Sequence, residues 1–370
     1  MADAPVATIP FEVASQYSSR HSFNVPSTDL SASAPTNTSP VQIPAVGYVS
    51  GILLEVTISG TLASGSAVFA DDAPFNAIES INLRNAAGVN FIAPVNGYSL
   101  YLMNKYGAQG APGFGPYANP KFGTQYSTTT SDGSAHFFLW LPVVLDPETA
   151  YGSIPALASN ASYQTEITFA ALSRIYSTQP DSATIAVNAT VWYFDLPAAA
   201  DAQGRAQATT PPSDGTSVWQ IEQPTVSPGT QLVQSVNVGN VIRTSILTLR
   251  DSDGKRSASS WPDLMELFLD NQPRFALRKN EWTFLMERWF GTGGALDGDD
   301  GLDSGVFVLP WHTLLGSMAG DPNNTRAQLL TTLNATLMQW RAQDFGSDAS
   351  KFQMLTEVVT TKDPSYLYGK

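Results

Sequence analysis

One acidic loop is the segment of this sequence in which residue types and spacing could do chemistry. The run G-G-A-L-D-G-D-D-G-L-D places four carboxylates within one glycine-rich turn, at Asp297, Asp299, Asp300 and Asp303. Oxygen ligands at alternate positions are what Ca²⁺ binds. However, Gly301 stands where an EF-hand loop has its third ligand, and no Glu closes the loop at the required distance. The segment predicts a solvated acidic loop, with a weak calcium site as the alternative.

Three histidines are the next candidates, for zinc binding or acid-base catalysis: His21, His136 and His312. They lie far apart in the sequence, and none has a His or a carboxylate at the helical spacing of a zinc site. His136 opens an apolar strand pattern, and His312 follows Pro310-Trp311. These contexts favour structural histidines over catalytic ones.

Known catalytic and nucleotide-binding motifs do not occur in the sequence. There is no G-x-S-x-G elbow, P-loop or G-x-G-x-x-G fingerprint. The carboxylates are numerous enough for a glycosidase-like pair to assemble in space. Four tryptophans lie on apolar periodic faces, which favours core packing over a sugar platform: Trp140, Trp192, Trp282 and Trp289. The basic pair Lys255-Arg256 follows D-S-D-G and indicates a turn tip. We therefore predict no catalytic site and no cofactor apart from the candidate calcium ion.

The sequence elements that would position such residues occur twice. The run N-G-Y-S-L-Y-L-M-N-K-Y-G, residues 96–107, returns as N-E-W-T-F-L-M-E-R-W-F-G, residues 280–291. Each run begins with Asn, which suits a helix N-cap, and ends with Gly, which suits the C-terminal end of a helix. A similar strand pattern precedes each copy, and an apolar run ending in Leu-Pro follows each, at Pro142 and Pro310. The long period predicts two similar domains rather than a solenoid.

Alternating apolar residues predict β-structure over most of the remaining chain. The predicted strands begin near Val46, Ile78, Ala135, Tyr163 and Thr184 in the first half, and lie near Ile242, Leu264, Val306, Leu329 and Phe352 in the second. Many short strands, long polar loops and few helices predict an all-β fold of two tandem antiparallel jelly rolls, β-sandwiches with short helices in the loops. A Greek-key barrel of another kind is the alternative.

Composition predicts the domain boundaries. Residues 1–39 mix Pro, Ser, Thr and Ala with few large apolar groups, which is typical of an extended arm that is ordered by a partner. Residues 198–217 are rich in Pro, Ala, Thr and Gly and predict a linker. The two jelly rolls are then residues 40–197 and 218–370.

The charge balance excludes some partners. Only 14% of the 370 residues are charged, below the roughly 25% of average soluble domains, so much of the surface must consist of uncharged polar groups. A net charge of −13 disfavours a groove for nucleic acid, which needs clustered Lys and Arg. The chain has no cysteine, which excludes disulfides and thiolate metal sites. It shows no signal peptide or membrane-span pattern, so we expect synthesis and folding in a cytoplasm.

Several of these segments together resemble a known family. The opening I-P-A-V-G-Y-V-S-G-I-L-L-E-V-T at Ile43, the strand I-E-S-I-N-L-R at Ile78, the helix at Asn96 and the run F-F-L-W-L-P-V-V-L-D-P at Phe137 carry the resemblance. They are similar to the major capsid proteins of tailless icosahedral viruses, the double jelly-roll coat proteins of tectivirus-like and corticovirus-like phages. The likeness is clearest over residues 40–195.

This resemblance implies a coat protein that self-assembles as homotrimers, each presenting six barrels and filling a pseudo-hexagonal position of an icosahedral shell. It implies that the partners are other copies, minor capsid, penton or spike proteins, and an internal viral membrane beneath the shell. It implies a place in the virion, and with the missing signal peptide we expect synthesis in the host cytoplasm. The charge balance leads us to expect no sequence-specific contact with nucleic acid. The alternative is a two-jelly-roll carbohydrate-active hydrolase or lectin, similar to peptide N-glycanases. A receptor-binding spike is less favoured, because the chain has no collagen-like or heptad repeat.

Overall fold

The chain forms two compact units, each built mainly from β-strands. The computed structural model describes residues 8–107, 126–145, 149–157, 163–212, 215–290, 304–311 and 329–361. Residues 1–101 and 126–217 form the first unit, and residues 102–125 and 218–370 form the second. Within the described segments, no helix has the length and apolar character needed to span a membrane.

The strands are numbered in chain order. Strands β1 to β13 are Tyr17–Asp29, Thr36–Asn37, Val41–Gln42, Gly47–Thr61, Val68–Phe69, Ile78–Arg84, Asn90–Val95, Tyr126–Thr129, Ser134–Pro142, Ile154–Ala156, Gln164–Phe169, Tyr176–Thr178 and Ser182–Phe194. Strands β14 to β22 are Gly215–Glu222, Gly229–Ser235, Val241–Arg250, Leu264–Leu269, Gln272–Arg278, Val306–Pro310, Leu330–Thr331, Met338–Phe345 and Lys351–Thr361. Helices α1 to α4 are Phe11–Ala14, Gly97–Tyr106, Leu172–Ile175 and Lys279–Phe290, and a 3-10 turn covers Phe75–Ala77.

Two sheets make up most of the first unit. One has the strand order β1-β13-β4-β9-β8, with β10 also paired to β4, and the other has the order β7-β6-β11, with β2 and β3 on the far edge of β11. The long strand β4 alternates as the sequence predicts, and its inward side chains are at most 1% exposed: Ile52, Leu54, Val56 and Ile58. Alternate burial on β9 and β13 extends this core, at Phe137, Leu139, Val187 and Val191 among others.

The second unit repeats the strand pairing of the first. Its sheets have the orders β14-β22-β16-β19 and β15-β21-β17-β18, with β20 also paired to β16. Strand β16 therefore takes the place of β4, between the counterparts of β13 and β9, and β17 takes the place of β6. A helix follows the corresponding hairpin in each copy of the repeat, α2 after β6-β7 and α4 after β17-β18, and residues 102–106 of α2 are grouped with the second unit. The shared topology confirms the predicted fold of two tandem jelly rolls with short helices in the loops.

A β-bulge recurs at the same place in both units. Where β4 meets β13, the register shifts at Ser50, and where β16 meets β22 it shifts at Arg243. In each case the residue after the bulge pairs with the Pro that ends the preceding apolar run: Gly51 with Pro142, and Thr244 with Pro310. A bulge adds one residue to one strand, so its recurrence fixes the alignment of the two units residue by residue.

The predicted N-terminal arm, residues 1–39, is corrected by the structure. Residues 17–29 form β1, which pairs antiparallel with β13 of the same unit, from Tyr17 opposite Phe194 to Asp29 opposite Thr184. By topology β1 is the counterpart of β14, so it is an integral strand of the jelly roll. The sequence does not show the apolar alternation of a strand here, because β1 lies at a sheet edge and buries only two apolar side chains, Phe23 and Val25.

The segment predicted as a linker, residues 198–217, makes contacts inside the first unit. The Ile9 amide donates to the Ala206 carbonyl, and the Ala208 amide donates to the Ile9 carbonyl, both at 2.9 Å. Nearby, Phe11 packs edge-on against Tyr48, with ring centroids 5.3 Å apart. The N-terminal segment and the first half of the linker therefore hold one another against the end of β4.

The two predicted helices begin differently. Asn96 caps α2 as predicted, because its side chain accepts a hydrogen bond from the Ser99 amide at 2.7 Å. Helix α4 begins at Lys279, two residues before the start that an Asn280 cap predicts, so Asn280 is not its N-cap. Instead the Glu281 carboxylate accepts from the Arg278 amide at 2.9 Å.

Candidate functional site

The acidic loop lies outside the described residues. The calcium candidates Asp297, Asp299, Asp300 and Asp303 therefore stay a prediction, as does the interpretation of His312. In the segments that the structure does describe, no three His, Asp or Glu side chains are grouped so that they could hold a metal ion.

The other two histidines lie on the same outward face of the first unit. His21 on β1 pairs with Thr190 on β13, and His136 on β9 pairs with Thr57 on β4. Side chains alternate between the two faces of a strand, and both histidines pair with residues on the face that points away from the core. Both imidazoles therefore face away from the core as well. Strands β13 and β4 separate the two histidine strands. The fold thus brings the histidines onto one face without bringing them together.

A small polar cluster occupies this outward face. The His136 Nε2 atom lies 3.0 Å from Glu55 Oε1, and the Asn188 side-chain amide donates to Glu55 Oε2 at 3.3 Å. These bonds, first that of His136 and then that of Asn188, hold the pKa of the Glu55 carboxyl below its usual value. The imidazole also packs edge-on against Phe138, with ring centroids 5.0 Å apart.

The cluster is better suited to a surface contact than to catalysis. Both oxygens of Glu55 already have protein partners, and a general base needs a carboxylate oxygen that is free to receive a proton from substrate. The side chains of His136 and Glu55 are 41% and 40% exposed, so they lie on an open sheet rather than in a cleft. We therefore treat this outward face as a candidate interaction surface.

The second unit contains a buried ion pair that was not predicted from the sequence. Arg243, the bulged residue of β16, contacts Glu357 of β22 through its Nη2 atom, and the two side chains are 1% and 0% exposed. The signal was available, because Arg interrupts V-I-R-T-S-I-L and Glu interrupts Q-M-L-T-E-V-V, which are otherwise apolar strand patterns. Charged residues in such positions are rarely buried unless they are paired.

The tryptophans and the basic pair are placed largely as the sequence predicts. Trp140 and Trp282 are buried, whereas Trp192 is only half-buried, and the side chain of Trp289 is not among those described. The indole of Trp282 donates to the Val308 carbonyl at 2.8 Å, which joins α4 to β19. Lys255 lies at the tip of a hairpin turn, as its sequence context predicts, and its amide donates to the Asp251 carboxylate at 2.8 Å.

Comparisons of the sequence with family models and with curated proteins give no match. Comparison of the structure with solved structures gives matches that span nearly the whole chain. A chain of Sulfolobus Turreted Icosahedral Virus aligns with 94% of this chain and 91% of its own length, at a TM-score of 0.62 and 10% identity. The capsid of the virus PBCV-1 aligns with 93% and 94%, at a TM-score of 0.58 and 10% identity.

The major capsid protein P2 of bacteriophage PM2 aligns with 94% of this chain and 99% of its own length, at a TM-score of 0.51 and 11% identity. At this level of identity the likeness is one of fold. Because the alignments cover both units and leave little of either chain unmatched, they apply to the tandem arrangement as well as to a single barrel. The chain has the double jelly-roll fold of these viral proteins.

Proposed function

We propose that this chain is the major capsid protein of an icosahedral virus, that it resides in the virion shell, and that its role is structural rather than enzymatic. The observation that carries the proposal is the match of fold over more than nine-tenths of this chain and of the PM2 capsid protein. The fold of these viral proteins is matched across both units, which supports a shared structural role over an enzymatic one.

We further propose that the assembly unit is a homotrimer. Two units with the same strand pairing give a threefold oligomer six similar barrels, which is a near-hexagonal outline from three chains. Low charge supports close lateral packing, since 14% charged residues leave few ions to desolvate. The partners would be neighbouring trimers, minor capsid, penton or spike proteins, and an internal membrane beneath the shell.

The experiment is a mass measurement of the purified full-length chain, by sedimentation velocity or mass photometry. We expect a species with three times the 39.6 kDa chain mass. Because obligate interfaces commonly bury more than about 2,000 Å², dissociated chains should be unstable or should aggregate. A stable monomer that hydrolyses or binds a glycan, and loses this activity when one carboxylate is replaced, would favour the hydrolase or lectin alternative.

A further inference from the structure

The outward face of the first unit has an incompletely covered centre. Two cross-strand rows run over it, Thr190–Leu53–Trp140 and Asn188–Glu55–Phe138. We define the outer patch as Leu53, Glu55, Phe138, Asn188 and Thr190. Asn188 is exposed and the other four are half-buried. Two of the five, Leu53 and Phe138, are large apolar side chains.

The recurring bulge identifies the counterparts of the outer patch in the second unit. Alignment of Pro142 with Pro310 carries the five patch positions onto β16, β19 and β22. The counterparts of Leu53, Glu55, Phe138, Asn188 and Thr190 are, in that order, Ile246, Thr248, Val306, Gln353 and Leu355. All five are at most 1% exposed. The same face is therefore completely covered within the chain in the second unit, and left open in the first.

We propose that a second copy of this chain covers the outer patch. The inference rests on the proposed self-assembly, and it adds which surface of the first unit makes the contact between copies. A duplicated chain that covers one of two equivalent faces internally leaves the other for its neighbour, and contacts of that kind repeat around a closed ring. The open face of one copy is then buried as the equivalent face of its second unit already is.

The charges of the outer patch fit this partner. Copies with a net charge of −13 repel one another, so they can approach closely only where the local charge is low. Glu55 is the one ionisable residue of the outer patch, and both of its oxygens accept hydrogen bonds, from His136 and Asn188. A carboxylate with its bonds already made costs less to bury than an unpaired one. Leu53 and Phe138 supply the apolar contact.

Thiol labelling tests the proposal directly. The chain has no cysteine, so Asn188→Cys introduces a single thiol in the outer patch, and Val89→Cys introduces one at an exposed position of the other sheet's β6-β7 turn. Both positions are exposed in the single chain. In the oligomer we expect maleimide to label Asn188→Cys more than about tenfold more slowly than Val89→Cys, because an interface core is desolvated. Equal labelling rates at the two positions in the oligomer would overturn the inference.

A charge substitution provides the second measurement. Leu53→Glu should weaken self-association by at least about tenfold, because an unpaired carboxylate would be buried, whereas Val89→Glu should not. Circular dichroism establishes that both variants are folded. An oligomer that Leu53→Glu leaves intact would contradict the outer patch alone, whereas a wild-type chain that never associates would contradict the proposed function as well.

Discussion

At the scale of single residues, the second unit contains a charge pair that the hydrophobic effect alone would not place there. Arg243 and Glu357 are both buried, on adjacent strands, at the bulge that the first unit fills with Ser50. Buried ion pairs contribute little net stability, but they strongly penalise the loss of one partner. The pair thus couples the register of β16 to that of β22.

We predict that Glu357→Leu lowers the free energy of unfolding by about 3–5 kcal/mol, because the buried Arg243 guanidinium loses its contact with the Glu357 carboxylate. The double variant Arg243→Met, Glu357→Leu should recover most of that loss. The exposed pair Arg174 and Glu79 is the control, and Arg174→Met should cost less than about 1 kcal/mol. Urea unfolding of the four proteins measures these differences. Equal losses for the single and double variants would show that the pairing itself is unimportant.

Asp270 carries a second residue-scale prediction. It lies in the two-residue turn between β17 and β18 with φ of 49°, and its Oδ1 atom accepts from the Thr336 amide, the Thr336 hydroxyl and the Leu337 amide at 2.8–3.0 Å. These bonds, that of the Thr336 amide first, lower the pKa of the carboxyl. A lowered folded-state pKa stabilises the fold above the unfolded pKa, and this contribution disappears as the pH falls through the folded value.

The comparison variant is Asp270→Asn, which keeps an acceptor oxygen and tolerates positive φ but carries no charge. The wild-type protein should melt at a higher temperature than the variant at pH 7. We expect the difference to shrink from about pH 4 downward, where the Asp carboxyl protonates. Melting curves across this range measure it. A difference that is independent of pH would mean that the charge of Asp270 contributes nothing.

At the scale of elements, three hairpin turns share one pattern, Asn or Asp, two residues, Gly, and one more residue. They are 85–89, 201–205 and 251–255, and in each the first side chain accepts from the amides two and four positions later. The glycine has φ between 78° and 80° in all three. A built Cβ would meet no atom within 4 Å at any of them, so backbone conformation alone requires glycine there.

Gly254→Ala should therefore destabilise the protein by about 1–2 kcal/mol through the cost of the left-handed conformation alone. Gly254→Asn should cost less, because Asn adopts this conformation more readily. Thermal unfolding of the two variants compares them. If both variants cost the same, the left-handed backbone conformation would not be what requires glycine at this position.

Strand β1 gives the other element-scale prediction. Phe23 is buried beneath the sheet whereas its neighbour Asn24 is exposed. Phe23→Ala should destabilise the folded chain by about 3–5 kcal/mol, as at other core positions, and Asn24→Ala should change stability by less than about 0.5 kcal/mol. Chemical denaturation of each variant provides the measurement. Were β1 a detachable arm, Phe23→Ala would impair assembly and leave the stability of the fold unchanged.

At the scale of the whole molecule, net charge opposes the association that we propose. Copies carrying −13 repel one another over a distance set by the Debye length, which falls from about 30 Å at 0.01 M salt to about 8 Å at 0.15 M. If apolar and neutral polar groups hold the copies together, raising the salt concentration over this range should strengthen association. Sedimentation at the two salt concentrations tests this, and weaker association at high salt would indicate an interface held by exposed ion pairs.

The sequence by itself determined the duplication, the positions of most strands and the two main helices. These signals are local: Ile52, Leu54, Val56 and Ile58 alternate within one strand, and the Asn96 cap lies three residues from its donor. Local periodicity can be read from the sequence without knowing which strands lie next to each other, because it reflects which face each residue of a strand presents to a core. The apolar runs that end in Leu-Pro at Pro142 and Pro310 were also visible in the sequence. That these two prolines pair next to the bulges, and so align the two units, was not.

Only the tertiary structure decided what depends on pairing across the chain. Strand β1 has the composition of an arm and becomes a strand because β13 is available beside it. The outer patch and its counterparts in the second unit occupy equivalent strand positions, but only the counterparts are covered within the chain. The ion pair of Arg243 with Glu357 joins positions that lie 114 residues apart. Strand formation at edges and burial of outward faces are set by non-local neighbours, which a linear pattern does not contain.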